Sequence, residues 1–75
     1  MNDEFRIYLD GYVFKSLKIF NRRGQQVFSS TDIQQGWDGT FKGQPAAMET
    51  YYWFADVLNS NQEKVIVKGD LILMR

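Results

Sequence analysis

The chain has 75 residues, no cysteine and no histidine, and its nine basic residues balance nine acidic ones. Disulfides, thiolate metal sites, cysteine nucleophiles and the Ser-His-Asp triad in its ordinary form are excluded. A neutral chain without a basic cluster also gives a phosphate backbone little to hold, so nucleic acid is not an expected partner.

So short a chain buries only about 60% of its unfolded surface. Large rings must stand in for cross-links, and six Phe, four Tyr and two Trp supply them. In chain order, Phe5–Leu9 alternates apolar and polar positions up to Asp10-Gly11 and predicts a first strand. Tyr12–Phe20 predicts a half-buried strand with Leu17 and Ile19 on the inner face and Ser16 and Lys18 outside. Asn21-Arg22-Arg23-Gly24 is a hairpin turn, with Gly24 at the position that needs a positive φ. The paired arginines read as a solvated turn rather than a phosphate clamp. Gln25–Ser29 is the return arm, and Ser30–Gly36 is polar loop.

Gly36-Trp37-Asp38-Gly39 forms a second tight turn, with Asp38 capping it through backbone N–H groups and Trp37 folding over the end of a sheet. Thr40–Gly43 is a short strand or turn, and Pro45 bars a central strand after it. Thr50–Leu58 is the strongest strand. Tyr51, Trp53, Ala55 and Val57 share its inner face, and Tyr52, Phe54, Asp56 and Leu58 the wetter one. After an Asn59–Gln62 turn, Glu63–Met74 is the last strand, with Val65, Val67, Leu71 and Leu73 inward and Gly69 a bulge or a point of close packing. No helical period and no internal repeat emerge. The fold class is all-β, a small Ig-like antiparallel sandwich of six or seven strands.

Phe20-Asn21-Arg22-Arg23-Gly24-Gln25-Gln26-Val27-Phe28 resembles the N-R-(aromatic)-G-x-x-V-F segment of the gliding-motility-associated C-terminal domain, the type B sorting domain of type IX secretion in Gram-negative bacteria. Gly36–Gly43 is similar to its G-W-D-G-(T)-x-x-G segment, Pro45 to the proline that follows, and Thr50–Trp53 to its G-T-Y-x-Y strand. Lys68–Arg75 resembles the terminal K-G-x-(V)-x-L-(I)-R, and Asn2–Phe5 the end of its opening segment. Two positions depart from the pattern. Arg23 stands where an aromatic is usual, and Glu49 stands where the family has glycine, which implies a turn of another type there.

The resemblance implies an address tag without chemistry. Residues 1–75 would be one sorting domain, cut from a larger exported protein such as an adhesin and carried through the periplasm and outer membrane to the cell surface or the medium. The implied partner is the type IX machinery, including outer-membrane β-barrel components. No cofactor, metal, nucleic acid or small-molecule substrate is expected. The chain has neither a signal peptide nor an apolar run near the roughly 20 residues of a membrane helix, so it would not itself span the membrane. The last strand is the candidate contact element, with Lys68, Asp70, Met74 and Arg75 as recognition residues. Asn21, Gly24, Gly36, Trp37, Asp38, Gly39, Tyr51, Trp53 and Gly69 form the structural motif.

Two other functional classes find less support in the sequence. A carbohydrate platform would draw on Tyr8, Tyr12, Tyr52 and Trp53, but a domain this small is expected to keep those rings inside. Catalysis would need Asp32, Asp38 and Asp56 paired across a cleft, and the sequence offers no insertion to build one. Asn2, Asp3 and Glu4 supply too few oxygens for calcium.

Overall fold

The computed structural model describes residues 4–74. Among these there is no helix, and six strands form: β1 (Val13–Phe20), β2 (Gln26–Ser30), β3 (Thr40–Phe41), β4 (Gln44–Pro45), β5 (Thr50–Leu58) and β6 (Lys64–Ile72). Four make an antiparallel sheet in the order β2-β1-β5-β6, and β3 pairs with β4 as a second ladder. The protein is thus a small all-β sandwich whose second layer is reduced to one short hairpin and irregular chain.

The alternation along the long strands decides which sheet face is covered. Leu17 and Ile19 of β1 and Tyr51, Ala55 and Val57 of β5 are buried, and Trp37, Ile7 and Ala46 join them from outside the sheet. Phe5, Leu9, Phe14, Phe41 and Trp53 pack around this cluster, as do Val65, Val67, Leu71 and Leu73. The face assignments read from the sequence for Tyr12–Phe20, Thr50–Leu58 and Glu63–Met74 hold.

The N-terminal stretch differs from expectation. Phe5 makes an isolated bridge with Trp37, its N–H donating to the Trp37 carbonyl (2.8 Å) and its carbonyl accepting the Trp37 N–H (2.9 Å). Residues 6–9 are not a strand, although Ile7 is buried between exposed Arg6 and Tyr8. Period-two hydrophobicity reports which side of an extended segment meets the core. A strand also needs a neighbouring backbone, and among the described residues that neighbour is supplied at Phe5 alone. At Gly69 the structure decides between the two alternatives. The β5–β6 register runs unbroken through Trp53↔Gly69, so it is no bulge. A Cβ there would sit 2.7 Å from Cζ2 of Trp53, so the indole lies directly on the bare backbone. Of the two roles foreseen for this glycine, close packing is the one found.

The two long hairpins turn where the sequence places them, and they share a geometry that the sequence reading did not foresee. The Asn21 Oδ1 accepts the N–H groups of Arg23 and Gln25 (both 2.9 Å), and its amide donates to Gln25 Oε1 (3.1 Å). Asn59 does the same, accepting from Asn61 (2.9 Å) and Glu63 (3.0 Å) and donating to Glu63 Oε1 (3.1 Å). In each turn the fourth residue is left-handed: Gly24 (φ 84°) and Gln62 (φ 65°). The shared signal was the spacing Asn-x-x-x-Gln/Glu, obscured because Gln62 replaces glycine. Left-handed backbone disfavours a residue bearing Cβ by about 1–2 kcal/mol. Gln62→Gly is therefore expected to stabilise the domain by up to about 1 kcal/mol, part of the gain being offset by glycine's chain entropy. Gly24→Gln should destabilise it by about 1 kcal/mol, both read from urea unfolding midpoints.

Between β3 and β4 the two turn residues Lys42 (φ 56°) and Gly43 (φ 76°) are both left-handed, the requirement of a type I′ hairpin. Pro45 is tolerated because this ladder is only two residues long and has no central strand. Glu49 is not left-handed, in keeping with a turn of another type than the glycine-bearing one. Its carbonyl accepts the N–H of Leu73 (3.0 Å) just beyond β6.

Candidate functional site

Trp37 is the pivot of the covered face. It is 2% exposed, meets the Tyr51 ring edge-on with centroids 4.9 Å apart, and donates its indole Nε1–H to the Thr40 carbonyl (2.9 Å). Asp38 Oδ1 accepts from the Thr40 hydroxyl (2.7 Å) and from the Thr40 N–H (3.0 Å), closing the turn beneath the indole. Gly39 then takes a positive φ of 82°, and its carbonyl accepts the Ala46 N–H (2.8 Å), which ties the turn to the β3–β4 hairpin. Gly36 has a steric reason of its own: a Cβ there would come within 2.7 Å of Arg6 Cγ. The Tyr51 hydroxyl donates to the Ala47 carbonyl (2.7 Å) and pins the loop before β5.

The Thr40 hydroxyl bond, and after it the Thr40 N–H, hold the Asp38 carboxyl below its usual value of 3.8. Ionised Asp38 is thus the form the fold binds more tightly. Its contribution is present in full above 3.8 and is lost as pH falls through the lower folded-state value. Asp38 is solvent-exposed, so the effect is a screened, modest one. Asp38→Asn keeps an acceptor but removes the titration. Its unfolding midpoint should lie below the wild type's at neutral pH, and the gap should close as pH falls below 4.

The uncovered face of the sheet carries the candidate recognition residues. Lys68 stands across from Phe54, and Asp70 across from Tyr52. Together with Gly69 these four residues line a shallow, open depression. Tyr52 and Phe54 are 44% and 41% exposed, and the Phe20 ring meets Phe54 edge-on at 5.7 Å. Ile66 and Ile72, also exposed, extend the apolar surface along β6. Met74 is exposed too, but it lines a different depression with Phe5, Trp37 and Leu71. Arg75 lies outside the described residues, as do Asn2 and Asp3.

The expectation that Tyr8, Tyr12, Tyr52 and Trp53 are core rings is corrected for three of the four. Tyr8, Tyr12 and Tyr52 are exposed, and only Trp53 turns inward, packing on Phe5 at 6.0 Å and on Gly69. The four do not share a face. The face beside Lys68 and Asp70 instead holds Tyr52, Phe54 and Phe20, and the Phe20 and Phe54 rings stand at 76° to each other rather than coplanar. Along β5 the alternation of the strand sends every second ring outward.

The three candidate carboxylates serve separate local purposes. Asp32 Oδ1 accepts the Gln34 N–H (2.9 Å), Asp38 closes its own turn, and Asp56 accepts from the Ser16 hydroxyl (3.1 Å). Among the described residues, no group of three acidic side chains is placed to hold a metal ion, and no helix is long and apolar enough to cross a membrane.

These features define a class: a small antiparallel β-sandwich with one packed face, one open face bearing rings and charges, and a long strand at the sheet's border. Within it, the chain belongs to the CHU_C type IX secretion signal domain family, whose model matches residues 1–73. No curated protein and no solved structure gives a significant match. Membership carries a sorting role, with the type IX secretion machinery as partner and export to the cell surface or medium of a Gram-negative bacterium as outcome.

Proposed function

We propose that this chain is the non-catalytic C-terminal sorting domain of a larger surface protein of the adhesin or gliding-motility kind. It is held by the secretion machinery, outer-membrane β-barrel components included, at the open face and border of β6. Lys68, Asp70, Met74 and Arg75 are the contact residues. The observation that carries this reading is the pairing of exposed Lys68 and Asp70 with the exposed rings of Tyr52 and Phe54. An exposed ring cluster with charges at its rim is a composition that a partner protein can cover and desolvate. Rings tilted against each other suit a protein surface better than a flat sugar, and carboxylates engaged in their own turns suit a domain without catalysis.

The test is a fusion of residues 1–75, with the native residues upstream, to a periplasmic reporter in a strain with working type IX secretion. The reporter is expected outside the cell. If it stays periplasmic while an accepted family member exports it, the sorting assignment is wrong for this chain. Lys68→Ala with Asp70→Ala leaves the core untouched and should reduce export several-fold. Unchanged export would move the contact site elsewhere. Deleting Asp70–Arg75 should abolish export, but that removes Leu71 and Leu73 from the core, so circular dichroism must first show the truncated domain folded.

A further inference from the structure

β6 borders the sheet, and among the described residues its backbone bonds only to the β5 side. The Leu73 N–H donates to Glu49, and the ladder has no register shift. Odd-numbered residues of β6 therefore direct N–H and C=O toward β5, and the even-numbered ones direct theirs outward. The border thus presents the backbone groups of Lys64, Ile66, Lys68, Asp70 and Ile72, with neither proline nor bulge to blunt it.

The side chains along this border are complementary to their own reversal. About Gly69, Lys68 mirrors Asp70, Val67 mirrors Leu71, Ile66 mirrors Ile72, and Val65 mirrors Leu73. We propose that two copies of this chain pair antiparallel along β6, with Gly69 opposite Gly69 on the two-fold axis. In this register Lys68 faces Asp70 of the second copy twice over, and Ile66 faces Ile72 twice over on the same side of the sheet. Val67 meets Leu71, and Val65 meets Leu73, on the covered side, which joins the two cores. Every hydrogen-bonded pair falls on an even-numbered residue, the set whose groups point outward. The central pair is a non-hydrogen-bonded one, where Cα atoms approach to about 4.5 Å and side chains crowd most; a glycine with no side chain sits there.

Charge selects this register. A slip of two residues in either direction, the smallest that keeps the outward-pointing backbone groups paired, sets Lys68 opposite Lys68 or Asp70 opposite Asp70, and like charges directly opposed destabilise a strand pair. Lys68 and Asp70 are both exposed, and neither has an ion-pair partner among the described residues. The result is an isologous dimer with one continuous eight-stranded sheet. This pairing stands apart from the sorting role, although it closes the border that a receptor would need.

Sedimentation velocity on the 75-residue chain, from micromolar to millimolar concentration, tests it. The wild type should convert from monomer to dimer. Lys68→Asp and Asp70→Lys, each alone, should raise the dissociation constant by about tenfold or more, since two symmetry-related pairs turn repulsive together. The double charge swap should restore wild-type dimerisation, with circular dichroism confirming that all variants fold. A wild type monomeric throughout, or a dimer indifferent to both single swaps, overturns the proposal. Amide exchange separates the occupants of the border. The N–H groups of Ile66, Lys68 and Asp70 should gain protection as concentration rises. Protection independent of concentration means that the chain's own residues cover β6, and the proposal fails.

Discussion

Trp37→Ala is expected to leave the domain largely unfolded at 37 °C. Truncating a buried tryptophan removes about 3–5 kcal/mol through lost transfer energy and the cavity left behind. The whole stability of a 75-residue domain is about 4–11 kcal/mol at ordinary per-residue values. Trp37 contributes more than its own volume: its ring abuts Tyr51, and its indole N–H satisfies the Thr40 carbonyl. The second layer is thin, so few neighbours are present to collapse into the void. Trp37→Phe keeps a ring against Tyr51 but abandons the Thr40 carbonyl, and about 1–3 kcal/mol should be lost. Urea unfolding followed by circular dichroism gives both values. A Trp37→Ala domain within 1 kcal/mol of wild type would mean that the second layer is not held on by this side chain.

Gly69→Val is the second large effect. The Trp53 indole occupies the space where a Cβ would stand, with Cε2 and Nε1 each at 2.8 Å from it, well inside contact distance. A rigid ring cannot yield as a flexible side-chain end can. The substitution must swing Trp53 off its rotamer and separate it from Phe5, an overpacking cost of about 1–3 kcal/mol. Valine's higher strand propensity returns no more than about 1 kcal/mol of this. A loss in midpoint together with red-shifted tryptophan emission is the expected signature. A stabilised Gly69→Val domain with unchanged emission would show that β-propensity outweighs the ring contact.

Both effects fall on residues that stood out in the sequence, yet for reasons only partly visible there. Tryptophan between two glycines announces a turn bearing a large apolar group, and its burial followed from scarcity of core. Its partner Tyr51 lies fourteen residues away, and its bond to Phe5 reaches back thirty-two; no local pattern encodes either pairing. Gly69 within an alternating run left a bulge and a close contact as equal alternatives. What decided between them was the ladder partner, Trp53. The recognition candidates were legible as an exposed row because Lys68 and Asp70 have the parity opposite to Val67 and Leu71. That Tyr52 and Phe54 stand beside them depended on which strand adjoins β6.

By its residue order alone, this protein is committed to extended chain, to hairpin turns at Asn21–Gly24 and Asn59–Gln62, and to the inward face of each long strand. Those properties are local: period-two burial and left-handed turn residues act over a few positions. The tertiary structure alone decided that Phe5–Leu9 finds a backbone partner at a single residue among those described, that the rings of Tyr8 and Tyr12 stay in water, and that β6 lies at the border of the sheet. Those outcomes turn on which backbone groups and side chains remain unclaimed once distant segments have paired, and that is settled only when the sheet closes.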